Sequence, residues 1–141
     1  MRFMMLMMPK GYEKAAPDTK PDPEGVKRMM KYNASLMKSG VLLDLNGLRP
    51  PSEGVRVSFS GGKPHVTDGP FVEAKEVIGG YWMIQVKSKE EAIEWAKRVP
   101  SRDARKIELR QVFEMTDFPA DVQKTADSPA VRATLEKRSR A

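Results

Sequence analysis

The densest run of chemically competent side chains is His65-Val66-Thr67-Asp68-Gly69-Pro70-Phe71-Val72-Glu73-Ala74-Lys75-Glu76. An imidazole three residues before a carboxylate offers a proton-transfer dyad at a cleft mouth, with Glu73 as a further group for proton transfer or orientation. Asp68 has a second reading: an Asp ahead of Gly-Pro opens a β-turn, its side chain capping nearby amides while the proline fixes the geometry. A strand-borne His65 and a turn-borne Asp68 need not point the same way. Glu73 and Lys75 share a face if the segment is extended, as an ion pair or as polar groups lining a pocket. Arg2, on the first strand, is suited to a small-anion site or to pairing with a strand carboxylate such as Asp44. The catalytic candidates are therefore Asp68, His65 and Glu73, and Lys75 and Arg2 are candidates for binding a ligand.

Composition narrows the chemistry open to these residues. There is no cysteine, which removes disulfides, thiolate metal sites and Cys nucleophiles together. The single histidine cannot build a multi-histidine zinc or iron site, so no metal centre and no cofactor are expected. The net charge of +6 is spread along the chain and is densest over residues 132–141. No Lys/Arg stripe interleaves with aromatics, and aromatics are only 7% of residues, which argues for a solvated basic surface rather than a nucleic-acid interface. The apolar run from Phe3 to Pro9 is too short for a membrane span and lacks a cleavage pattern, so a cytoplasmic protein is expected. At 141 residues and 40% hydrophobic content the chain has room for one domain with a real core.

The elements that must position the candidates follow from periodicity and punctuation. Arg2 to Met8 predicts a strand stopped by Pro9-Lys10-Gly11, and residues 9–23 a surface loop. Asp22-Pro23-Glu24 predicts a helix start, with Val26, Met29, Met30, Asn33, Leu36 and Met37 on one face and Gly40 as the end. Val41 to Leu45 predicts a strand. Val55, Val57 and Phe59, turned by Ser60-Gly61-Gly62-Lys63 into Pro64 to Thr67, predict a hairpin. Val77 to Val86 predicts a long strand, Ser88-Lys89-Glu90-Glu91 a capping box opening a helix that ends at Pro100, and Ile107 to Phe113 a last strand. This order predicts an α+β fold, a ferredoxin-like βαββαβ plan with an added central hairpin. The first and long strands are apolar on both faces, which two helices cannot cover, so a homodimer burying the second face is expected. The methionines Met4, Met5, Met7, Met8, Met29, Met30 and Met37 read as adaptable core packing. Residues 119–141 read as a separate tail, partly helical or flexible, with a short helix over residues 129–138.

The segment Asp68-Gly69-Pro70-Phe71 and its surroundings resemble the YCII-related, or DGPF-domain, family. Met1 to Met8 matches that family's opening strand, and Lys31-Tyr32-Asn33, Gly40-Val41-Leu42-Leu43 and Gly47-Leu48 with Pro50 match the elements that follow. Phe59 to Pro64, Thr67 to Phe71, Glu73, Lys75-Glu76 and Ala92 to Ala96 with Pro100 continue the resemblance, so it covers residues 1–118. It implies a dimeric α+β barrel and much less about activity, because most members have no assigned reaction. Two positions depart from the pattern: Arg49 stands where a histidine is expected, and His65 where a threonine or small residue is expected. Arg49 thereby becomes a candidate anion contact.

Two functional expectations result. One is a small dimeric protein that binds, or transforms by acid/base chemistry, a small polar or aromatic molecule in a cleft near the Asp68–Phe71 loop. The other is a non-catalytic regulatory or interaction module using its basic tail, linked to transcription through the association of some family members with sigma factors.

Overall fold

The computed structural model describes residues 1–100 and 102–139. Ten elements follow in order: β1 (Arg2–Met8), α1 (Pro23–Lys38), β2 (Leu42–Gly47), β3 (Val55–Ser60), β4 (Lys63–Asp68), β5 (Gly80–Gln85), α2 (Lys89–Lys97), β6 (Lys106–Gln111), α3 (Ala120–Ala126) and α4 (Pro129–Ser139). Arg140, at the end of the basic cluster, and Ala141 lie outside the described residues.

The helices begin where their capping chemistry dictates. The Asp22 carboxylate accepts from the Gly25 amide at 2.9 Å, and Pro23 occupies the first turn of α1, where its missing N–H costs nothing. Ser88 Oγ accepts from the Glu91 amide at 3.1 Å, but Glu91 reaches back one residue beyond the cap, to the Lys87 amide at 2.8 Å.

Strands β2, β5, β1 and β6 form an antiparallel sheet in that spatial order, the ferredoxin-like arrangement, while β3 and β4 make a separate two-stranded sheet. β5 starts at Gly80, three residues later than the apolar run suggested. Gly79 is held against Pro9, and its amide and carbonyl bond to Met7 and Leu48, outside the β5 ladder. Alternation along the strands places Phe3 and Met5 of β1 beside Ile84 and Trp82 of β5, under the helices. Phe3 is 2% exposed and Met5 0%. The opposite face carries Met4, Leu6 and Met83, half-buried and without a covering layer among the described residues.

The buried face of α1 differs from the one the periodicity favoured. Tyr32 and Leu36 are buried with Met29 packed beside them, whereas Met30 and Met37 are 61% and 66% exposed. The larger side chain decides the rotation. The Tyr32 ring stands edge-on to Trp82 at 5.5 Å, and its hydroxyl donates to the Trp95 carbonyl at 2.8 Å, joining α1 to α2. Burial pushes the Tyr32 hydroxyl pKa up to about 12. Trp82 Nε1 in turn donates to Asn33 Oδ1 at 2.7 Å.

After β6 the chain makes a short 3₁₀ turn at Met115–Asp117, then α3, which the sequence did not suggest, then α4. Arg2 ties this segment to β1 through a two-point pair with Glu114, at 2.9 and 3.0 Å.

Candidate functional site

Two connections that looked like plain loops assemble the site. Residues 9–22 fold around a 3₁₀ turn at Tyr12–Lys14, and the β2–β3 connection contains a second at Pro51–Glu53. The two turns pack together. Tyr12 donates to the Leu48 carbonyl, and Glu53 takes the Arg49 guanidinium at 2.9 Å and the Asp18 amide at 3.4 Å. The Arg49 hydrogen bond holds the Glu53 carboxyl below the usual carboxylate range, while burial and the Glu53 charge push the Tyr12 hydroxyl up.

The loop after β4 closes over this pair of turns. Gly69 donates to the Gly54 carbonyl at 2.8 Å and lies so close to Pro51 that no side chain fits there. Pro70 follows through a cis peptide bond, and the Phe71 ring carries the Arg56 guanidinium 3.9 Å from its centroid. A cavity of about 560 Å³ lies between the two turns and this loop. Its walls are largely apolar, including Ala15, Pro17, Pro70 and Phe71, with Glu13, Lys14 and Ser52 as polar members. Glu13 Oε2 and Ser52 Oγ are both buried without a hydrogen-bond partner. Neither oxygen is open to solvent, so the cavity is walled by other atoms of these two residues.

The residues singled out from sequence are distributed around this cavity rather than in it. His65 and Asp68 both sit on β4, opposite Ser58 and Val55, and their odd spacing places them on opposite faces of the hairpin. They do not meet as a dyad. Asp68 leads directly into the loop whose Gly69, Pro70 and Phe71 form the cavity wall. Glu73 pairs with Arg56 at 2.9 Å instead of with Lys75, and neighbouring Glu76 pairs with Lys106. Arg49 serves Glu53, and Arg2 serves Glu114 rather than Asp44. Arg2 also lines an open groove of about 960 Å³ formed with α3 and α4.

Asp44 belongs to another cluster, on the open face of the main sheet. Tyr81 donates to Asp44 Oδ2 at 2.9 Å, and Asn46 Nδ2 donates to the Tyr81 hydroxyl at 3.0 Å. Glu13, Ser52 and this trio were missed in the sequence. A lone Glu or Ser in a connection carries no spacing signal, whereas alternation of Asp44 with Asn46 on β2 was available as a hint. Among the described residues, no three His, Cys, Asp or Glu side chains gather as a metal ion would require, and no helix is long and apolar enough to cross a membrane.

Comparison with known proteins adds the following. The family model described as the YCII-related domain matches residues 1–116. No curated protein matches the chain. Among solved structures, the chain is similar to 5-chloro-2-hydroxyhydroquinone dehydrochlorinase from Burkholderia phenoliruptrix AC1100, in complex with 2,5-dihydroxybenzoquinone. The identity is 9% and the TM-score 0.45, over 84% of this chain and 100% of that one.

Proposed function

The chain belongs to the YCII-related domain family, and from that premise and the site geometry we propose that it is a cytoplasmic homodimer that binds a small polar or aromatic molecule beside the Gly69–Phe71 loop. The observation that carries this reading is the cavity of about 560 Å³, whose wall is largely apolar, with Pro70 and Phe71 on one side and Glu13, Lys14 and Ser52 as its polar members. Its volume falls in the range of small-molecule sites. Pro70 and Phe71 are then the surface on which the apolar part of the ligand packs, and Asp68 acts by leading β4 into the loop. A thermal-shift screen of metabolites, followed by amide chemical-shift mapping of each hit, tests this. Hits should perturb the amides of residues 13–16, 52, 69 and 71–74; hits that perturb only other surfaces would sink the assignment.

Two apolar surfaces support the dimer. One is the open sheet face with the half-buried Met4, Leu6 and Met83. The other is the hairpin face formed by Val57, Phe59 and Val66, with Phe59 75% exposed. A two-stranded hairpin is marginal in water unless its apolar face is covered. Burying Phe59 and Val66 against a second copy would contribute about 1.5–3 kcal/mol each before association costs. Sedimentation velocity should find a species at twice the 15.9 kDa chain mass, and Phe59→Ser should shift it toward monomer. A wild-type protein that sediments as a monomer at high concentration would refute the dimer.

A further inference from the structure

We propose that an open cavity on the helical layer is a site for a dianionic phosphate group, separate from the site beside the Gly69–Phe71 loop. The cavity, of about 400 Å³, is lined among the described residues by Arg28, Lys31, Tyr32 and Ser35 of α1 and by Arg98 and Pro100 just after α2. It shares no lining residue with the cavity beside the loop. Helical spacing sets Arg28, Lys31 and Ser35 on one stripe of α1, where residues three or four apart are neighbours about 5–6 Å apart at Cβ. The hydrogen bond from the Tyr32 hydroxyl to the Trp95 carbonyl, at 2.8 Å, brings the end of α2 against that stripe, and Arg98 with it. A dimer joined through the open sheet face leaves this layer uncovered, because the helices lie on the sheet's other side.

The donors left over name the ligand. The hydroxyl protons of Ser35 and Tyr32 are already committed, to the Tyr32 carbonyl at 2.6 Å and to the Trp95 carbonyl. What remains is cationic. Lys31 is exposed, and its ammonium has no hydrogen-bond or ion-pair partner among the described residues. Arg98 gives Nε to the Glu94 carbonyl at 3.3 Å and lies 3.7 Å over the Trp95 ring, which fixes its plane and leaves the terminal nitrogens to a ligand. Arg28 is held by Asp103 through Nε and Nη2, at 3.1 and 2.7 Å, so Nη1 remains. The carboxylates nearby are taken, Asp103 by Arg28 and Glu94 by Lys97 at 2.7 Å, and none lines the cavity among the described residues. Lys31 and Arg98 therefore carry uncompensated charge. Two charges and three donor groups match a phosphate dianion with its three terminal oxygens, whereas a carboxylate brings one charge and two oxygens. Pro100 gives the organic body of a phosphate monoester an apolar side to pack on.

Inorganic phosphate, phenyl phosphate and acetate are the probes, added to the full chain at constant ionic strength so that screening does not vary. Two-dimensional amide NMR follows each titration for wild type, Lys31→Gln, Arg98→Gln and Lys124→Gln. Phosphate should shift the amides of residues 28–35 and 97–99 and saturate, and acetate should bind at least about tenfold more weakly. Lys31→Gln and Arg98→Gln should each weaken phosphate by about three- to tenfold, while Lys124→Gln, on α3, should leave it unchanged. Lys31 and Lys124 are exposed, and the same spectra report whether each variant is folded. Tighter binding of phenyl phosphate than of phosphate assigns the site to a monoester, and equal binding assigns it to the free ion. The inference is overturned if acetate binds as tightly as phosphate, if neither Lys31→Gln nor Arg98→Gln weakens it, or if the shifts spread without saturating over α3 and α4.

Discussion

Replacing Gly69 with alanine should unseat the loop that walls the cavity, and the structure gives the size of the effect. Gly69 does not occupy the left-handed region, so its requirement is space rather than backbone freedom. A Cβ at this position overlaps the Pro51 carbonyl oxygen outright and lies 2.8 Å from the Pro51 carbonyl carbon and 3.2 Å from the Gly54 oxygen. The obstacles are backbone atoms of the very turn that carries Ser52, and a close-packed backbone must give by about an ångström to admit the methyl group. Such overpacking costs about 1–3 kcal/mol. The displaced loop also loses the Gly69 to Gly54 hydrogen bond, worth about 1 kcal/mol. The sum of about 2–4 kcal/mol corresponds to a fall in Tm of roughly 5–15 °C for a chain of this size. Urea unfolding monitored by circular dichroism measures the first quantity, and calorimetry the second. Gly61→Ala is the control. A Cβ there meets nothing within 4 Å, so only the strain of its left-handed φ of 58° remains, about 1 kcal/mol, and cavity binding should persist. The reasoning fails if Gly69→Ala unfolds within about 0.5 kcal/mol of wild type, which is the scale of an ordinary surface substitution.

Further consequences follow from other contacts. Tyr32→Phe keeps the ring against Trp82 and removes only the hydroxyl; the Trp95 carbonyl still accepts from the Arg98 amide, so the loss in urea should be about 1 kcal/mol. Because burial raises the Tyr32 pKa from 10.0 to about 12, its contribution is complete below the unfolded value and is lost as pH rises toward 12; Tyr32→Phe should flatten that alkaline decline, and an unchanged profile would refute the assignment. The Glu53 pKa moves the other way. Depressed by Arg49, it contributes stability above the ordinary carboxylate pKa that disappears as pH falls through the lowered value, so Arg49→Gln should raise the Glu53 midpoint in a carboxyl NMR titration. Deleting residues 119–141 should leave small-molecule binding unchanged, since none of the cavity's lining residues lies there; a lost hit would tie the tail to the site.

What the sequence disclosed was local. Caps such as Asp22 and Ser88, the Gly61-Gly62 turn and the alternation of β1 all rest on chemistry within a few residues, and the element order then leaves few ways to arrange an antiparallel sheet. The rotation of α1 depended on a competition between two apolar stripes that only Trp82 and Trp95, distant in the chain, could decide. Arg2 was marked as a cation in need of a carboxylate, yet its partner lay at Glu114 and not at Asp44, because the strand ends bring Phe113 and Glu114 alongside it. The cavity was hidden for the same reason. Glu13, Ser52 and Gly69 come from three separate connections, and only the seating of Gly69 on the Pro51 turn makes them neighbours of one space. The loop motif pointed to the right region, while its charged residues turned to partners elsewhere, Glu73 to Arg56 and Glu76 to Lys106.

A crystal structure of the protein with the tightest-binding hit of the metabolite screen tests the central claim most directly. Ligand density is expected between the two 3₁₀ turns and the Gly69–Phe71 loop, packed against Pro70 and Phe71. Density instead against Asp44, Asn46 and Tyr81 on the open sheet face, with the cavity filled only by water, would contradict it.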